Sequence, residues 1–141
     1  MKDERERDMT HSIAVGRSRV LVVDDEPGIL EFADRTLRAA GYTTSIAASG
    51  SAALALAESA GPFDLLLTDM RMPGMNGDEL ARRMRQVFPD LKVLYLTGYC
   101  DQLFHQKGEL WTGEAFLDKP SSATGLLEAV SLLLYGRLAV E

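Results

Sequence analysis

The chain has 141 residues, a hydrophobic fraction of 46%, a charged fraction of 26% and a formal net charge of −6. This length suits one domain with a hydrophobic core, and the negative charge argues against a chain-wide nucleic-acid-binding surface. The single cysteine, Cys100, excludes an internal disulfide and fits a reducing compartment. Because the N-terminus is charged and no apolar run could span a bilayer, we expect a cytoplasmic protein that binds neither nucleic acid nor membrane.

The chain begins with polar, charge-rich residues that show no periodicity. This composition predicts a flexible N-terminal tail (residues 1–18) before a single domain (residues 19–141). Residues 19–23 (RVLVV) are apolar without alternation, the pattern of a strand buried on both faces of a parallel sheet. This first strand leads directly into two acidic residues, Asp24 and Asp25.

A helix, a strand and a second helix are predicted next. The first helix starts at Pro27, a residue suited to the first helical turn, and is closed by Gly41. Residues 42–47 (YTTSIA) are rich in β-branched side chains and predict a strand. Ser49 is a suitable N-cap for the second helix, which the Gly61–Pro62 pair stops.

The third strand is the stretch on which the functional interpretation depends. Three consecutive leucines (residues 65–67) run into Thr68 and Asp69. An acidic residue at the carboxyl end of a buried central strand lies where open α/β sheets bind ligands. Taken alone, Asp69 would equally suit a residue that caps the following loop, where Pro73 and Gly74 break regular structure.

The rest of the chain predicts three more helices and two more strands. In order, they are a helix from Gly77 to near Pro89, a strand over residues 91–96 that runs into Thr97, a short helix within residues 99–113, a strand over residues 114–117 that leads to Lys119, and a last helix over residues 122–135. Five strands thus alternate with five helices. This alternation predicts an α/β fold with a parallel sheet, right-handed crossovers and helices on both faces.

Four strand ends carry polar side chains with complementary chemistry. Because parallel strands present their carboxyl ends at one edge of the sheet, we expect Asp24, Asp25, Asp69, Thr97 and Lys119 to meet there. Three crowded carboxylates repel one another unless a cation or raised pKa values relieve the repulsion. Carboxylate oxygens suit magnesium, and the lack of cysteine and histidine in the set disfavours zinc. The set therefore indicates a phosphoryl-transfer centre with Asp69 as nucleophile and the other two acids as metal-binding groups.

Four motifs carry a resemblance to a known family. They are VVDDE after the first strand, LLLTDMRMPGMNG around the third, LTG after the fourth and FLDKP after the fifth. From Arg19 to Tyr135 the chain resembles the receiver domain of two-component response regulators, and the four motifs in this order and spacing are highly specific. The resemblance implies a flavodoxin-like sheet of five parallel strands in the order 2-1-3-4-5, with five helices on both faces.

The resemblance also implies a role for each acidic residue. Asp69 would accept a phosphoryl group from a histidine kinase or a histidine phosphotransfer protein. Asp25 and Asp69 would bind Mg²⁺ directly, together with the backbone carbonyl of Arg71, and Asp24 would act through water. Mn²⁺ is an alternative ion. The domain would be a phosphoacceptor that takes part in its own phosphorylation and dephosphorylation rather than an enzyme.

By the same resemblance, Thr97 and Lys119 would bind the phosphoryl oxygens. The aromatic switch position falls on Phe116, where many receivers have a tyrosine, so no hydroxyl group can anchor the ring. The output would reach a downstream protein through the face formed by the fourth predicted helix, the fifth strand and the fifth helix, in a monomer or a phosphorylation-dependent dimer. Arg71 and Tyr99, each two residues beyond a site residue, are expected to tune the lifetime of the phosphorylated state.

Three other interpretations compete with a free-standing receiver. A segment excised from a hybrid histidine kinase or a longer regulator would carry the same site, and VLYLTGYCD (residues 93–101) resembles hybrid-kinase receivers, although Met1 and the charged tail favour a free-standing protein. A haloacid-dehalogenase-type phosphatase needs a second acid two residues after its nucleophile, where this chain has Arg71. A pseudo-receiver usually lacks one of the acids or the lysine, and none is missing here.

Overall fold

A computed structural model describes residues 18–98, 113–119 and 122–136. The strands are β1 (Arg19–Val23), β2 (Thr43–Ala47), β3 (Leu65–Thr68), β4 (Lys92–Thr97) and β5 (Glu114–Asp118). The helices are α1 (Pro27–Ala39), α2 (Gly50–Ala60), α3 (Gly77–Val87) and α4 (Ala123–Tyr135). All strand pairs are parallel and the sheet order is β2-β1-β3-β4-β5, which confirms the predicted topology.

The prediction of five helices is not met within the described ranges, which hold four. The missing helix was predicted within residues 99–113, and all of these except Gly113 lie outside the described residues. Gly113 has a φ of 81°, a left-handed conformation that cannot continue a helix, and it leads straight into β5. The predicted tail also lies outside the described residues, apart from Ser18.

Helices cover both faces of the sheet, as the alternation of elements predicts. In β1, Leu21 and Val23 belong to the core cluster on the side of α2 and α3. Val20 and Val22 belong to the cluster on the side of α1 and α4. Every residue of β3 is buried, which explains why its leucines show no polar alternation. None of the helices in the described ranges has the length and apolar character needed to cross a bilayer.

Two serine caps set where helices begin. The Ser49 side chain accepts a hydrogen bond from the backbone N–H of Ala52 at 3.1 Å, which confirms the predicted N-cap of α2. Ser122 caps α4 in the same way, with its side-chain oxygen 2.9 Å from the backbone N of Gly125. Each cap satisfies a backbone donor that has no partner within the helix.

Gly77 joins the start of α3 to the end of β3. Its backbone N–H donates to the carbonyl oxygen of Met70 at 2.8 Å. A Cβ atom at this position would lie 2.2 Å from the backbone oxygen of Asp69, far closer than a carbon and an oxygen can approach. The absence of a side chain here therefore allows α3 to pack against the backbone of Asp69.

We expect Gly77→Ala to lower the free energy of unfolding by about 1–3 kcal/mol, because the new methyl group forces the backbone around Asp69 to move. Urea unfolding followed by circular dichroism measures this change. Gly28→Ala is the matched control, since Gly28 lies in the first turn of α1 and a Cβ atom added there would meet no atom within 4 Å. It should be neutral or stabilising by up to about 1 kcal/mol. Equal effects of the two substitutions would contradict the packing argument.

Candidate functional site

The candidate site lies at the carboxyl edge of the sheet, where four strands end. Backbone hydrogen bonds continue the strand pairing one residue past the strands: the N–H of Asp69 donates to the carbonyl of Val23 at 2.9 Å, and that of Lys119 donates to the carbonyl of Thr97 at 2.8 Å. The backbone thereby holds the first polar residue after each strand beside its neighbour. The backbone of Asp69 therefore lies beside the end of β1, and that of Lys119 lies beside Thr97.

Asp24, Asp25 and Asp69 form the predicted acidic cluster. Carboxylate oxygens from the three residues all lie within 4.8 Å of one another. The side chains of Asp24 and Asp69 are only 2% and 10% exposed, whereas Asp25 is exposed. Two of the three negative charges are therefore held close together with little access to water.

Lys119 provides positive charge to this cluster. Its Nζ lies 2.8 Å from Oδ2 of Asp24 and 3.6 Å from Oδ2 of Asp69, and its side chain is 13% exposed. A third carboxylate, that of Glu26, lies 3.2 Å from the same nitrogen. The sequence interpretation assigned no role to Glu26, although its place directly after the two aspartates was a usable signal.

The donor set of the cluster fits a hard divalent cation. One oxygen of Asp24 (Oδ1) accepts a hydrogen bond from the backbone N–H of Glu26 at 2.9 Å, which fixes the carboxylate. The other oxygen (Oδ2) is buried, and Nζ of Lys119 lies 2.8 Å from it. The three carboxylates, whose oxygens lie within 4.8 Å of one another, match the oxygen ligands that Mg²⁺ takes.

Burial and mutual repulsion disturb the ionisation of these groups. Burial raises the pKa of Asp24, and the hydrogen-bonding and charge effects of Lys119 only partly offset it. Burial and then the charge of Asp24 raise the pKa of Asp69. Burial tends to lower the pKa of Lys119, but its interactions with Asp24 and Asp69 outweigh burial and raise it. Ionisation of the carboxylates therefore destabilises the folded protein, and a bound cation would reduce this destabilisation.

Thr97 lies at the carboxyl end of β4, and Phe116 lies within the neighbouring strand β5. Thr97 is buried at the carboxyl end of β4. Phe116 is half-buried, and its ring centroid lies 5.4 Å from that of Tyr95, with the two rings tilted by 55°. The Tyr95 hydroxyl group donates to Oε2 of buried Glu114 at 3.0 Å. Sequence reasoning assigned no function to Tyr95 or Glu114, because an aromatic residue within a strand indicates only a place in the core.

Of the two residues predicted to tune the lifetime of the phosphorylated state, the structure describes Arg71 but not Tyr99. The Arg71 side chain is exposed, and the backbone N–H of Arg71 donates to the Asp69 carboxylate, which opposes the rise in its pKa. Tyr99 lies outside the described residues. The tuning role of both side chains stays a prediction.

Comparisons with known proteins agree on one family. The family model for the response regulator receiver domain matches residues 20–131. The chain is 32% identical over 116 residues to the response regulator receiver protein CpdR of Brucella abortus (strain 2308), a match that covers 82% of this chain and 96% of the relative. It is 35% identical over 120 residues to the sensor kinase CckA of the same organism, which covers 84% of this chain but only 13% of the kinase.

Among solved structures, the chain is similar to the response regulator protein TrrA of Thermotoga maritima in complex with Mg²⁺ and BeF. The TM-score is 0.71 and the sequence identity is 36%, with 83% of this chain and 99% of the TrrA chain covered. The similarity therefore extends over nearly the whole of the solved chain.

We expect Asp69→Asn to raise the melting temperature of the metal-free protein at neutral pH. The substitution removes one charge from the repelling, buried cluster, and about 1 kcal/mol of relief corresponds to roughly 3–8 °C in a domain of this size. Because the folded pKa of Asp69 is raised above its ordinary value of 3.8, its contribution to stability is full at low pH and is lost as pH rises through the folded pKa. The advantage of Asp69→Asn should therefore grow from about pH 4 to pH 7 in thermal unfolding with a chelator.

Asp34→Asn is a control with the opposite sign. Burial tends to raise the pKa of Asp34, but hydrogen bonds from Thr44 and Arg38 outweigh it and lower the pKa. Asp34 therefore stabilises the protein above its unfolded pKa and loses that effect as pH falls through the folded pKa. Its substitution should lower the melting temperature at pH 7 and matter less in acid. A fall in melting temperature for Asp69→Asn at pH 7 would contradict the repulsion argument.

Proposed function

The chain belongs to the response regulator receiver domain family, and we propose that Asp69 is the residue on which it accepts a phosphoryl group. Receiver domains are the phosphorylation-controlled modules of two-component signalling and are not classical enzymes. One observation carries the assignment to Asp69: its carboxylate lies next to two further carboxylates and a mostly buried lysine at the end of the central strand. This arrangement combines a nucleophile, a cation site and a positive charge.

In the proposed reaction, a carboxylate oxygen of Asp69 attacks the phosphorus atom of a phosphohistidine. The new O–P bond forms as the P–N bond breaks, and the electron pair of that bond leaves with the imidazole of the donor. Lys119, whose Nζ lies 3.6 Å from Oδ2 of Asp69, would bind a phosphoryl oxygen and balance its charge. Thr97, buried at the end of the neighbouring strand, would donate its hydroxyl group to another oxygen.

Magnesium is the proposed cofactor, with Mn²⁺ as an alternative ion. Asp25 and Asp69 would bind it directly with the backbone carbonyl of Arg71, and Asp24 would act through water. The proposal is supported by the spacing of the three carboxylates and by the Mg²⁺ complex of the similar TrrA protein. When bound, the ion would neutralise negative charge on the carboxylates and on the transferred group.

The proposed partners are a histidine kinase or histidine phosphotransfer protein as the donor, and a downstream protein as the target. Phe116 would carry the signal from Thr97 to a surface that includes β5 and α4, the last helix of the fold. The residues of the predicted helix that completes this surface lie outside the described ranges. A monomer or phosphorylation-dependent dimer, and a cytoplasmic location, stay predictions from the sequence.

Incubation with acetyl phosphate and Mg²⁺ should add one phosphoryl group to the wild-type protein, as measured by intact-protein mass spectrometry. Asp69→Asn should not gain this mass, because an amide cannot form the acyl phosphate. Asp90→Asn, which changes an exposed aspartate away from the site, is the matched control and should be phosphorylated like the wild type. A phosphoryl adduct that persists in Asp69→Asn would contradict the assignment.

Asp25→Ala should weaken Mg²⁺ binding more than Asp24→Ala, because Asp25 is proposed to bind the ion directly. Isothermal titration with MgCl₂ measures both, and a lost direct ligand should cost about tenfold or more in affinity. The structure supports this order, since Asp24 is already engaged by Lys119 and by the backbone N–H of Glu26. Equal losses would contradict the proposed division between direct and water-mediated roles.

A further inference from the structure

Glu26 occupies a helix N-cap position, but its side chain does not cap the helix. It is the N-cap residue of α1, where a short polar side chain usually accepts a hydrogen bond from the first turn. The Glu26 side chain makes no such bond, and only its backbone carbonyl accepts hydrogen bonds from the N–H groups of Ile29 and Leu30. Its carboxylate instead accepts a hydrogen bond from Nζ of Lys119 at 3.2 Å.

Glu26 thereby competes with the phosphoacceptor for Lys119. The Lys119 nitrogen lies 2.8 Å from Asp24 and 3.2 Å from Glu26, but 3.6 Å from Asp69. A lysine ammonium group has three N–H donors, and three carboxylates already surround this one. Asp24 and Glu26 hold the nitrogen at shorter distances than Asp69 does, so a phosphoryl oxygen on Asp69 that binds Lys119 closely must draw it away from one of these two carboxylates.

Exposure decides which carboxylate can release the lysine. The Asp24 side chain is 2% exposed, so leaving it without its cation would place an uncompensated charge in the interior. The Glu26 side chain is 63% exposed, and water can replace the lysine there at little cost. Glu26 is therefore the partner that can give way.

We propose that Glu26 is a positioning residue that holds Lys119 back from Asp69 until a phosphoryl group is present. This inference rests on the proposed function and deepens it. In the unphosphorylated protein, the Glu26 carboxylate retains one N–H donor of Lys119 and weakens the binding of a phosphoryl oxygen. On phosphorylation, that donor passes from Glu26 to the phosphoryl group and the Glu26 side chain returns to solvent.

The test is the affinity of the full chain for beryllofluoride in saturating Mg²⁺, measured by isothermal titration. Beryllofluoride is a stable mimic of the acyl phosphate, so no phosphotransfer is needed. We expect Glu26→Gln to bind it about two- to fivefold more tightly than the wild type, the range that corresponds to loss of one competing exposed ion pair. Thermal unfolding of each variant checks that it is folded.

Two further variants separate the contact with Lys119 from a general effect of charge. Glu26→Asp keeps the negative charge but shortens the side chain, and aspartate at an N-cap favours bonding to the helix. The logarithm of the beryllofluoride affinity of Glu26→Asp should rise by at least about half as much as that of Glu26→Gln. Glu31→Gln removes an equal charge from an exposed position on α1, where Glu31 pairs with Arg35 at 2.9 Å. The beryllofluoride affinity of Glu31→Gln should differ from that of the wild type by less than about 1.5-fold.

The outcomes distinguish this inference from the proposed function. If the wild type binds beryllofluoride and Glu26→Gln binds it no more tightly, the inference is wrong and the proposed function stands. If Glu26→Gln gains affinity while Glu26→Asp matches the wild type, the charge of Glu26 acts without the contact, and the positioning role is also wrong. If the wild type does not bind beryllofluoride with Mg²⁺, both the proposed function and the inference fail.

Discussion

The ion pair between Lys119 and Asp24 is the interaction on which the rest of the site depends. Both side chains are largely buried, so each would be costly without the other. The pair joins the ends of β5 and β1, which are separated in the sheet by β4 and by β3, the strand that leads to Asp69. It brings positive charge to a cluster that burial and repulsion would otherwise drive towards protonation.

This electrostatic arrangement needs a rigid support, and the fold provides it through the backbone. Hydrogen bonds continue past β3 and β5, so Asp69 and Lys119 are held before any side chain interacts. Gly77 then lets α3 pack directly on the carbonyl of Asp69. Hydrophobic clusters pack against both faces of the sheet, so the strands that carry the buried charges are closely packed.

A second polar contact lies beside Phe116. Phe116 has no hydroxyl group, but the ring that packs against it belongs to Tyr95, whose hydroxyl group donates to buried Glu114. Burial and then the charge of Glu114 raise the pKa of Tyr95, so its hydroxyl group stays protonated and remains a donor. The aromatic pair thus keeps a polar anchor on the strand next to Phe116, and any turn of the Phe116 ring changes its packing against an anchored neighbour.

The sequence by itself determined the strands, the sheet edge that carries the site and the three aspartates that meet there. Apolar runs that end on Asp24, Asp69 and Lys119 contain this information locally, since a buried strand excludes charge until it reaches the edge of the sheet. The four receiver motifs added the strand order, which periodicity alone does not contain.

Only the tertiary structure decided which charged groups meet. Glu26 and Lys119 are 93 positions apart, and although Glu26 directly follows the two aspartates, its position in the sequence does not show that it meets Lys119. In the same way, Tyr95 and Glu114 each fit an ordinary strand residue until the register pairs β4 with β5. The physical reason is that periodicity reports which side of an element is buried, whereas the partner of a polar side chain depends on distances between elements far apart in the chain.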